Sequence, residues 1–366
     1  MVVSGPELSI IVPTFNERDN IAQLVELLEI SLADVQWEII VVDDDSPDGT
    51  ADLVRVIARS NHRIRCLQRI GRRGLSSACL EGMLSSSAPY LAVMDGDLQH
   101  DERLLRGMLR LLAEEGYDIV VGSRYMAGGS IGEWTGMRAW VSQWATRLSR
   151  PWVPIGLTDP MSGFFAVRRE AFEELVRRTS GLGFKLLLDL FASSPRSLKF
   201  KEMPYTFRVR QAGESKVDSQ VAWEYVMLLL DKSVGRFIPV RLITFALVGG
   251  SGVLVHFVVL LILFSVLGWP FAWAQGAATL VAMTSNFILN NVVTYRDQRL
   301  RGWQWLRGWL SFVLVCSVGA LGNVGVASYL FLQEFNWGLS ALVGIVVGTV
   351  WNYAVTASYT WNKNRR

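Results

Sequence analysis

An apolar run, Leu91–Met94, ends in two carboxylates one residue apart, Asp95 and Asp97, with Gln99 two residues further on, in LAVMDGDLQHDE (91–102). Carboxylates this close repel each other, and burial at a strand end raises the cost of each charge. Either a cation sits between them or one of them works as a base. Residues two apart in a strand share a face, and Gly96 between them permits a turn or a close backbone approach. Two carboxylates and an amide oxygen make a hard, oxygen-only donor set. Mg2+ and Mn2+ favour such sets, with ligand phosphates completing the shell. Taken alone, the same residues also suit a solvated, Asp-rich turn.

Two further strand ends carry candidate chemistry. VVDDDSPDGTADL (41–53) presents Asp43, Asp44 and Asp45 in a row, able to accept hydrogen bonds from ribose hydroxyls or a base N–H. A turn followed by a helix cap reads those residues without any ligand. VPTFNERDNI (12–21) is bent by Pro13. The chain has no Walker loop and no GxGxxG after a strand. RIGRRGLSSA (69–78) is Gly-rich and basic, suited to a diphosphate or equally to a solvated turn. Arg124 follows the apolar YDIVVGS, Arg138 lies in EWTGMRAW with Ser142 one turn on, Lys185 opens KLLLDL, and Arg210 and Lys216 come from RQAGESK. Singly, each is an ordinary surface charge. His62, His100 and His256 are scattered without ligand spacing and are assigned no role.

The elements that must hold these residues alternate along the first half. LSIIVPTF, WEIIVVDD, IRCLQRI and YLAVMDGD read as buried strands. ERDNIAQLVELLEISLADV, GTADLVRVIARSN and LSSACLEGMLSSSA, which lie between them, read as helices. Alternation at βαβ spacing predicts a doubly wound, mostly parallel α/β sheet. Such sheets bind ligands at the carboxyl ends of their strands, where these motifs fall.

Composition changes near Arg236. Overall 51% of residues are hydrophobic and 19% charged, with mean hydropathy +0.28, too apolar for an ordinary soluble chain. Four apolar stretches, 241–267, 272–293, 309–333 and 338–361, are each long enough to cross a bilayer, which takes about 20 residues. Arg236 and Arg241 precede the first span, Arg296, Arg299, Arg301 and Arg307 fall between the second and third, and Lys363, Arg365 and Arg366 follow the fourth. The other two loops carry no Lys or Arg, so the first domain and the C-terminus are expected on the cytoplasmic side. The start, MVVSGPELSIIVPTFNE, lacks the basic and apolar pattern of a signal peptide, which agrees. Cys66, Cys79 and Cys316 show no metal spacing and suit a reducing compartment. A net charge of +3 gives no nucleic-acid signal. The membrane half is internally repeated: SNFILNNVVTYR (285–296) aligns with WNYAVTASYTWN (351–362), matching Asn286 to Asn352, Phe287 to Tyr353, Thr294 to Thr360 and Tyr295 to Trp361. An Asn within a span is expected to bond across helices, as packing glue or in contact with lipid. Between the halves, 218–237 reads as an amphipathic helix, lying on the membrane surface or packed on the protein. The expected domains are therefore 1–217, a linker helix over 218–237, and 238–366.

VPTFNE, VVDDDSPDGT, RRGLSSA, MDGDLQ, GSRY, DPMSGFFAVRR and RQAGESK, in this order over roughly residues 7–235, resemble the polyprenol (dolichol) phosphate mannose synthases, nucleotide-sugar glycosyltransferases of GT-A fold. The membrane half resembles the GtrA-like four-helix domain. The resemblance implies a metal, Mg2+ or Mn2+, held by Asp95, Asp97 and Gln99 and bridging a sugar-nucleotide diphosphate. Pro13, Phe15, Glu17, Val42, Asp44, Gly96 and Lys185 would contact the nucleotide sugar. Arg124, Arg138, Ser142, Arg210 and Lys216 would gather round the acceptor phosphate, with Asp97, Arg124, Arg210 and Lys216 carrying catalysis. Asp159 would orient loops or sugar hydroxyls. Phe15 stands where the family has Tyr, removing a hydroxyl, and Asp95–Gly96–Asp97 replaces DAD while keeping both carboxylates. The activity implied is metal-dependent, inverting transfer of mannose from GDP-mannose to a polyprenyl phosphate at the cytoplasmic face, in a chain that could self-associate through its membrane domain. The alternatives are a UDP-glucose donor and, in another class, a lipid-linked sugar flippase with a degenerate nucleotide domain. A processive polysaccharide synthase would carry a QxxRW-type motif, which the chain lacks.

Overall fold

The computed structural model describes residues 5–130, 144–181, 183–208, 219–235 and 238–361. The chain forms two compact units, Met1–Ser233 and Val234–Arg366. Seven strands make the sheet of the first: β1 Leu8–Thr14, β2 Trp37–Asp43, β3 Ile64–Gln68, β4 Tyr90–Val93, β5 Ile119–Ser123, β6 Phe165–Arg168 and β7 Phe200–Pro204, in the order β3-β2-β1-β4-β6-β5-β7. Only β6 runs antiparallel to its neighbours, β4 and β5. This is the mostly parallel, doubly wound sheet expected. The short strand β6, four residues of FFAVRR, gives too little alternation to be read from sequence.

Every β2 side chain is buried, and β1 is buried except at Pro13, because helices cover both faces. On one face α1 (Arg18–Ser31) buries Ile21, Leu24, Val25 and Leu28, the i, i+3, i+4, i+7 stripe of an amphipathic helix. On the other, α3 (Leu75–Ser85) lies on β1 and β2 through Gly82: a Cβ there would stand 2.7 Å from Ile11 Cγ2 and 2.8 Å from Val42 Cγ2. Register then aligns the strand ends. Pro13 pairs with Val42, Thr14 with Asp43, and Ile11 with Val93, so β1, β2 and β4 finish side by side. The chain leaves β1 towards β2 on one side and meets β4 on the other, a topological switch point. Helix Ser219–Val234 buries Leu228 with Met161 and Leu188, pairs Lys232 with Asp189, and donates from the Tyr225 hydroxyl to the Ala145 carbonyl at 2.6 Å.

Among the described residues, the second unit contains four helices long and apolar enough to span a membrane: Val240–Val266, Phe271–Thr294, Trp303–Leu332 and Trp337–Thr360. The third begins at Trp303, six residues before the hydropathy reading. Gly302, at φ 54, turns the chain into a first turn rich in Trp and Arg, and Arg307 stacks over Trp303. Such an interfacial turn is helical without being uniformly apolar.

The repeat is visible in the packing. Spans two and four both end in a π-helical turn, Asn290–Thr294 and Thr356–Thr360. Tyr295 and Trp361, matched by the repeat, stack at 4.2 Å with planes 4° apart. Asn286 and Asn352 press against Gly252 and Gly319, where any Cβ would lie within 2.4 Å and 2.1 Å of them. Their contribution is therefore close approach to a glycine, whereas the bridging expected of Asn falls to Asn291, which binds Leu300 and accepts from Trp361 Nε1 at 3.1 Å.

We expect Gly82→Val to leave the membrane unit intact but push α3 off the sheet, costing about 1–3 kcal/mol and lowering the unfolding midpoint by roughly 3–10 °C. Thermal unfolding of the full chain in detergent measures this; an unchanged midpoint would refute the close packing.

Candidate active site

Backbone pairing carries β4 one residue past its last strand position, with Met94 N donating to Ile11 O at 3.2 Å. The chain then turns sharply, with Leu98 at φ 63. Gly96 is seated against β1: a Cβ there would lie 3.3 Å from both Val12 Cγ1 and Thr14 Cγ2. Asp97 is buried, and Asp95 keeps about a third of its side chain exposed, at 35%. The amide N–H of Gln99 donates to Asp97 Oδ1 at 3.2 Å. Its side-chain nitrogen donates to the Arg208 carbonyl at 2.9 Å, which leaves Oε1 as the atom of this amide that could meet a cation. Arg208 N returns a bond to the Gln99 carbonyl at 3.0 Å, and its guanidinium pairs with Asp101 and Glu102. A second loop closes over the first: a Cβ on Gly163 would lie 3.3 Å from Asp95 Oδ2. Asp95, Asp97 and Gln99 thus offer oxygen atoms from one built turn, and no cluster of three His, Cys, Asp or Glu occurs among the described residues. The set fits a Mg2+ or Mn2+ whose shell a ligand diphosphate completes.

His100, to which sequence reasoning assigned no role, is buried beneath this turn. Its Nδ1 accepts the Asp95 N–H at 3.0 Å, so Nε2 carries the proton, 3.7 Å from Asp95 Oδ2. The ring stacks on Phe164 at 5.0 Å and meets Tyr205 and Phe207 edge-on. Burial pushes its pKa below the ordinary 6.5, against the opposing pull of Asp95 and Asp97. A neutral imidazole therefore fixes both the main chain and the side chain of Asp95. Its position directly after Gln99 was the available signal, but the aromatic cage comes from residues far along the chain.

The β1 and β2 ends form the adjacent wall. Asp44 accepts from Arg69 Nη1 at 2.9 Å and from Gly74 N at 2.7 Å, while burial raises its pKa against those contacts. It therefore pins the basic loop. Arg69 is itself buried, Arg72 pairs with Glu81 through both nitrogens, and Arg73 lies over the Phe15 ring at 4.0 Å. Asp43 caps its own turn through Ser46, and Asp48 accepts from Thr50 N at 2.9 Å just before α2 (Thr50–Ser60), whose N-cap is Gly49. Glu17 accepts from Asn20 at 2.8 Å in the first turn of α1. Val42 points into the core against Gly82, and Pro13 is paired beside it.

Arg124, at the end of β5, is locked by Asp159: Nε to Oδ2 is 2.7 Å, Nη2 to Oδ1 is 2.9 Å, and the backbone N–H of Arg124 also donates to Asp159. Asp159 is fully buried, and its own N–H donates to Glu202. A bidentate pair of this kind holds a guanidinium rigidly over Phe207, 5.6 Å from the ring centroid. Lys185 donates to the Met161 carbonyl at 3.4 Å, on the loop that covers Asp95. The structure therefore brings Pro13, Phe15, Glu17, Asp44, Asp95, Gly96, Asp97, Gln99, Arg124 and Lys185 to strand ends or to loops joined to them. Arg138, Ser142, Arg210 and Lys216 lie outside the described residues.

Breaking the Arg124–Asp159 pair from either side, with Arg124→Met or Asp159→Leu, should cost about 3–5 kcal/mol, because one buried charge is left uncompensated. The double variant should lose much less than the sum, and a thermal-unfolding cycle on the full chain tests this. The depressed His100 pKa has its own sign. Well above pH 6.5 the ring is neutral in both folded and unfolded chains, so His100 adds no slope there. As pH falls towards the folded value the unfolded chain binds the proton first, and stability declines. His100→Gln should remove that part of the slope in unfolding curves taken between pH 7.5 and 5.

The sequence model described as Glycosyl transferase family 2 matches residues 9–176, and that described as GtrA/DPMS, transmembrane domain matches 244–361. A dolichol-phosphate mannosyltransferase of Pyrococcus furiosus is 34% identical over 97% of this chain and 99% of its own. Enzymes of the same description from Mycosarcoma maydis and Saccharomyces cerevisiae are 35% and 34% identical, over 64% and 65% of this chain and 81% and 91% of theirs. With a GT-A-like sheet, a carboxylate pair at its switch point and, later in the chain, four helices long and apolar enough to span a membrane, the chain is an integral membrane glycosyltransferase and belongs to the dolichol-phosphate mannosyltransferase family.

Proposed function

We propose that the enzyme transfers mannose from GDP-mannose to a polyprenyl phosphate at the cytoplasmic face of the membrane, with inversion at the anomeric carbon. One observation carries this reading: the Pyrococcus furiosus dolichol-phosphate mannosyltransferase matches the chain through both units, at nearly full length. Loop arginines at 296, 299, 301 and 307 support the orientation.

In this reading Asp95, Asp97 and Gln99 hold Mg2+ or Mn2+, which when bound offsets the charge of the departing nucleoside diphosphate. His100 keeps Asp95 in its ligating pose without adding charge. Pro13, Phe15, Glu17 and Asp44 border the nucleotide, with Arg73 stacked on Phe15 as its basic edge and Lys185 beside the donor, while Val42 is spent in the core. A phosphate acceptor is already ionised near neutral pH, so its oxygen needs no general base. Catalysis then rests on aligning that oxygen with the anomeric carbon and on stabilising charge. Arg124, held immobile by Asp159, gives the acceptor phosphate a preorganised cation, and Arg138, Ser142, Arg210 and Lys216 complete its cradle. A UDP-glucose donor would use the same machinery.

The deciding experiment is a donor panel on the purified full chain, with a polyprenyl phosphate and labelled GDP-mannose, UDP-glucose or UDP-GlcNAc, with and without Mg2+ or Mn2+. Label should reach the lipid phase from GDP-mannose alone and only with metal; label from UDP-glucose would overturn the donor. Asp97→Ala should abolish transfer in a protein that still folds. Arg210→Ala should raise the KM for lipid phosphate by about 10- to 100-fold, the worth of a lost charge-assisted hydrogen bond.

A further inference from the structure

We propose that the membrane unit carries a built site for one anionic phospholipid, on the flank of its second and third spans. The site starts from Asn291, buried near the end of the second span. Its Oδ1 accepts from Leu300 N at 2.8 Å and its Nδ2 donates to Leu300 O at 3.1 Å. Leu300 is only 3% exposed and fills the space that Gly308 leaves, since a Cβ there would stand 2.3 Å from Leu300 Cδ1. The segment joining the two spans is therefore clamped at Leu300.

Arg299 and Arg301, either side of the clamped residue, face the same way. Together with Ile288, Val292 and Trp305 they line a cavity of about 340 Å³. At Ile288 this cavity meets a second, of about 450 Å³, walled by Leu280, Val281, Leu289 and Trp309. Neither is lined by Asp or Glu among the described residues. The cationic end lies between Thr294, where one span ends, and Trp303, where the next begins, which is headgroup level. The apolar end runs from Ile288 back to Leu280, about 12 Å of helix. Its walls open sideways: Leu280, Val281 and Ile288 are each 44–45% exposed on the surface that spans the bilayer.

Two cations above a short, laterally open apolar groove complement a phosphate headgroup with a chain below it. A zwitterionic lipid would bring its own cation towards the arginines. A groove open along its side and only as long as part of an acyl chain suits a resident bilayer phospholipid. The arginines should favour an anionic headgroup by roughly ten- to thirtyfold.

Native mass spectrometry of the full chain in detergent, titrated with phosphatidylglycerol or with phosphatidylcholine of the same acyl chains, tests this. We expect phosphatidylglycerol to bind at least about tenfold tighter. In the double variant Arg299→Gln/Arg301→Gln the two lipids should bind within about threefold of each other. Arg307→Gln, which removes a cation outside the cavity, should keep the preference. Equal binding of the two lipids to the unaltered chain, or a preference that survives in the double variant, would overturn the site. Displacement of phosphatidylglycerol by an equimolar polyprenyl phosphate would overturn the assignment to a bilayer phospholipid.

Discussion

Two carboxylates must stay close together at the end of a buried strand, and much of the first unit is arranged around that constraint. Register supplies the first part of the answer, because β1, β2 and β4 end together and Gly96 lets the turn sit on β1. Hydrogen bonding supplies the second. Asp97 receives the Gln99 N–H, Gln99 is tied to Arg208, and Asp95 is held by a neutral His100. These contacts fix the two carboxylates in place without adding positive charge. A protonated histidine beneath Asp95 would add it, and burial disfavours that form of the ring.

The basic residues around the site differ in what holds them. Arg69 is consumed by Asp44, Gly74 and Ser77, and so turns the stretch between β3 and α3 into a fixed wall. Arg124 and Asp159 are a buried fork on a fork, itself supported by Glu202. Preorganisation of this kind is costly in isolation and useful where a phosphate must be met without rearrangement. A composition-level reading cannot separate these classes, since each is simply an arginine near a glycine.

The strands β1 to β4 were legible because each is an apolar run set apart from the next by a periodic helix. The paired Asp95 and Asp97 were legible because they follow such a strand directly. β6 was not, being a short run with a loop rather than a periodic helix directly before it, nor was His100, whose meaning depends on Phe164, Tyr205 and Phe207 reaching it from over sixty residues away in sequence. Phe15 was visible as a missing hydroxyl, but its partner Arg73 belongs to a loop with no local structural signal. In the membrane unit, hydropathy found four spans and missed the first turn of the third, where Trp and Arg replace aliphatic residues.

The repeated hairpins show how an asymmetric surface can be built on a symmetric core. Both copies place Asn against Gly, both end in a π-helical turn, and their terminal aromatics stack on each other. The copies part at Asn291, whose counterpart by the repeat is Ala357. The first copy grips the main chain that follows it, at Leu300, through a side-chain amide that Ala357 lacks. That single amide turns a connection between spans into a rigid shelf bearing two arginines at headgroup level. Symmetry accounts for the packing of the four helices, and its local failure accounts for the cavity.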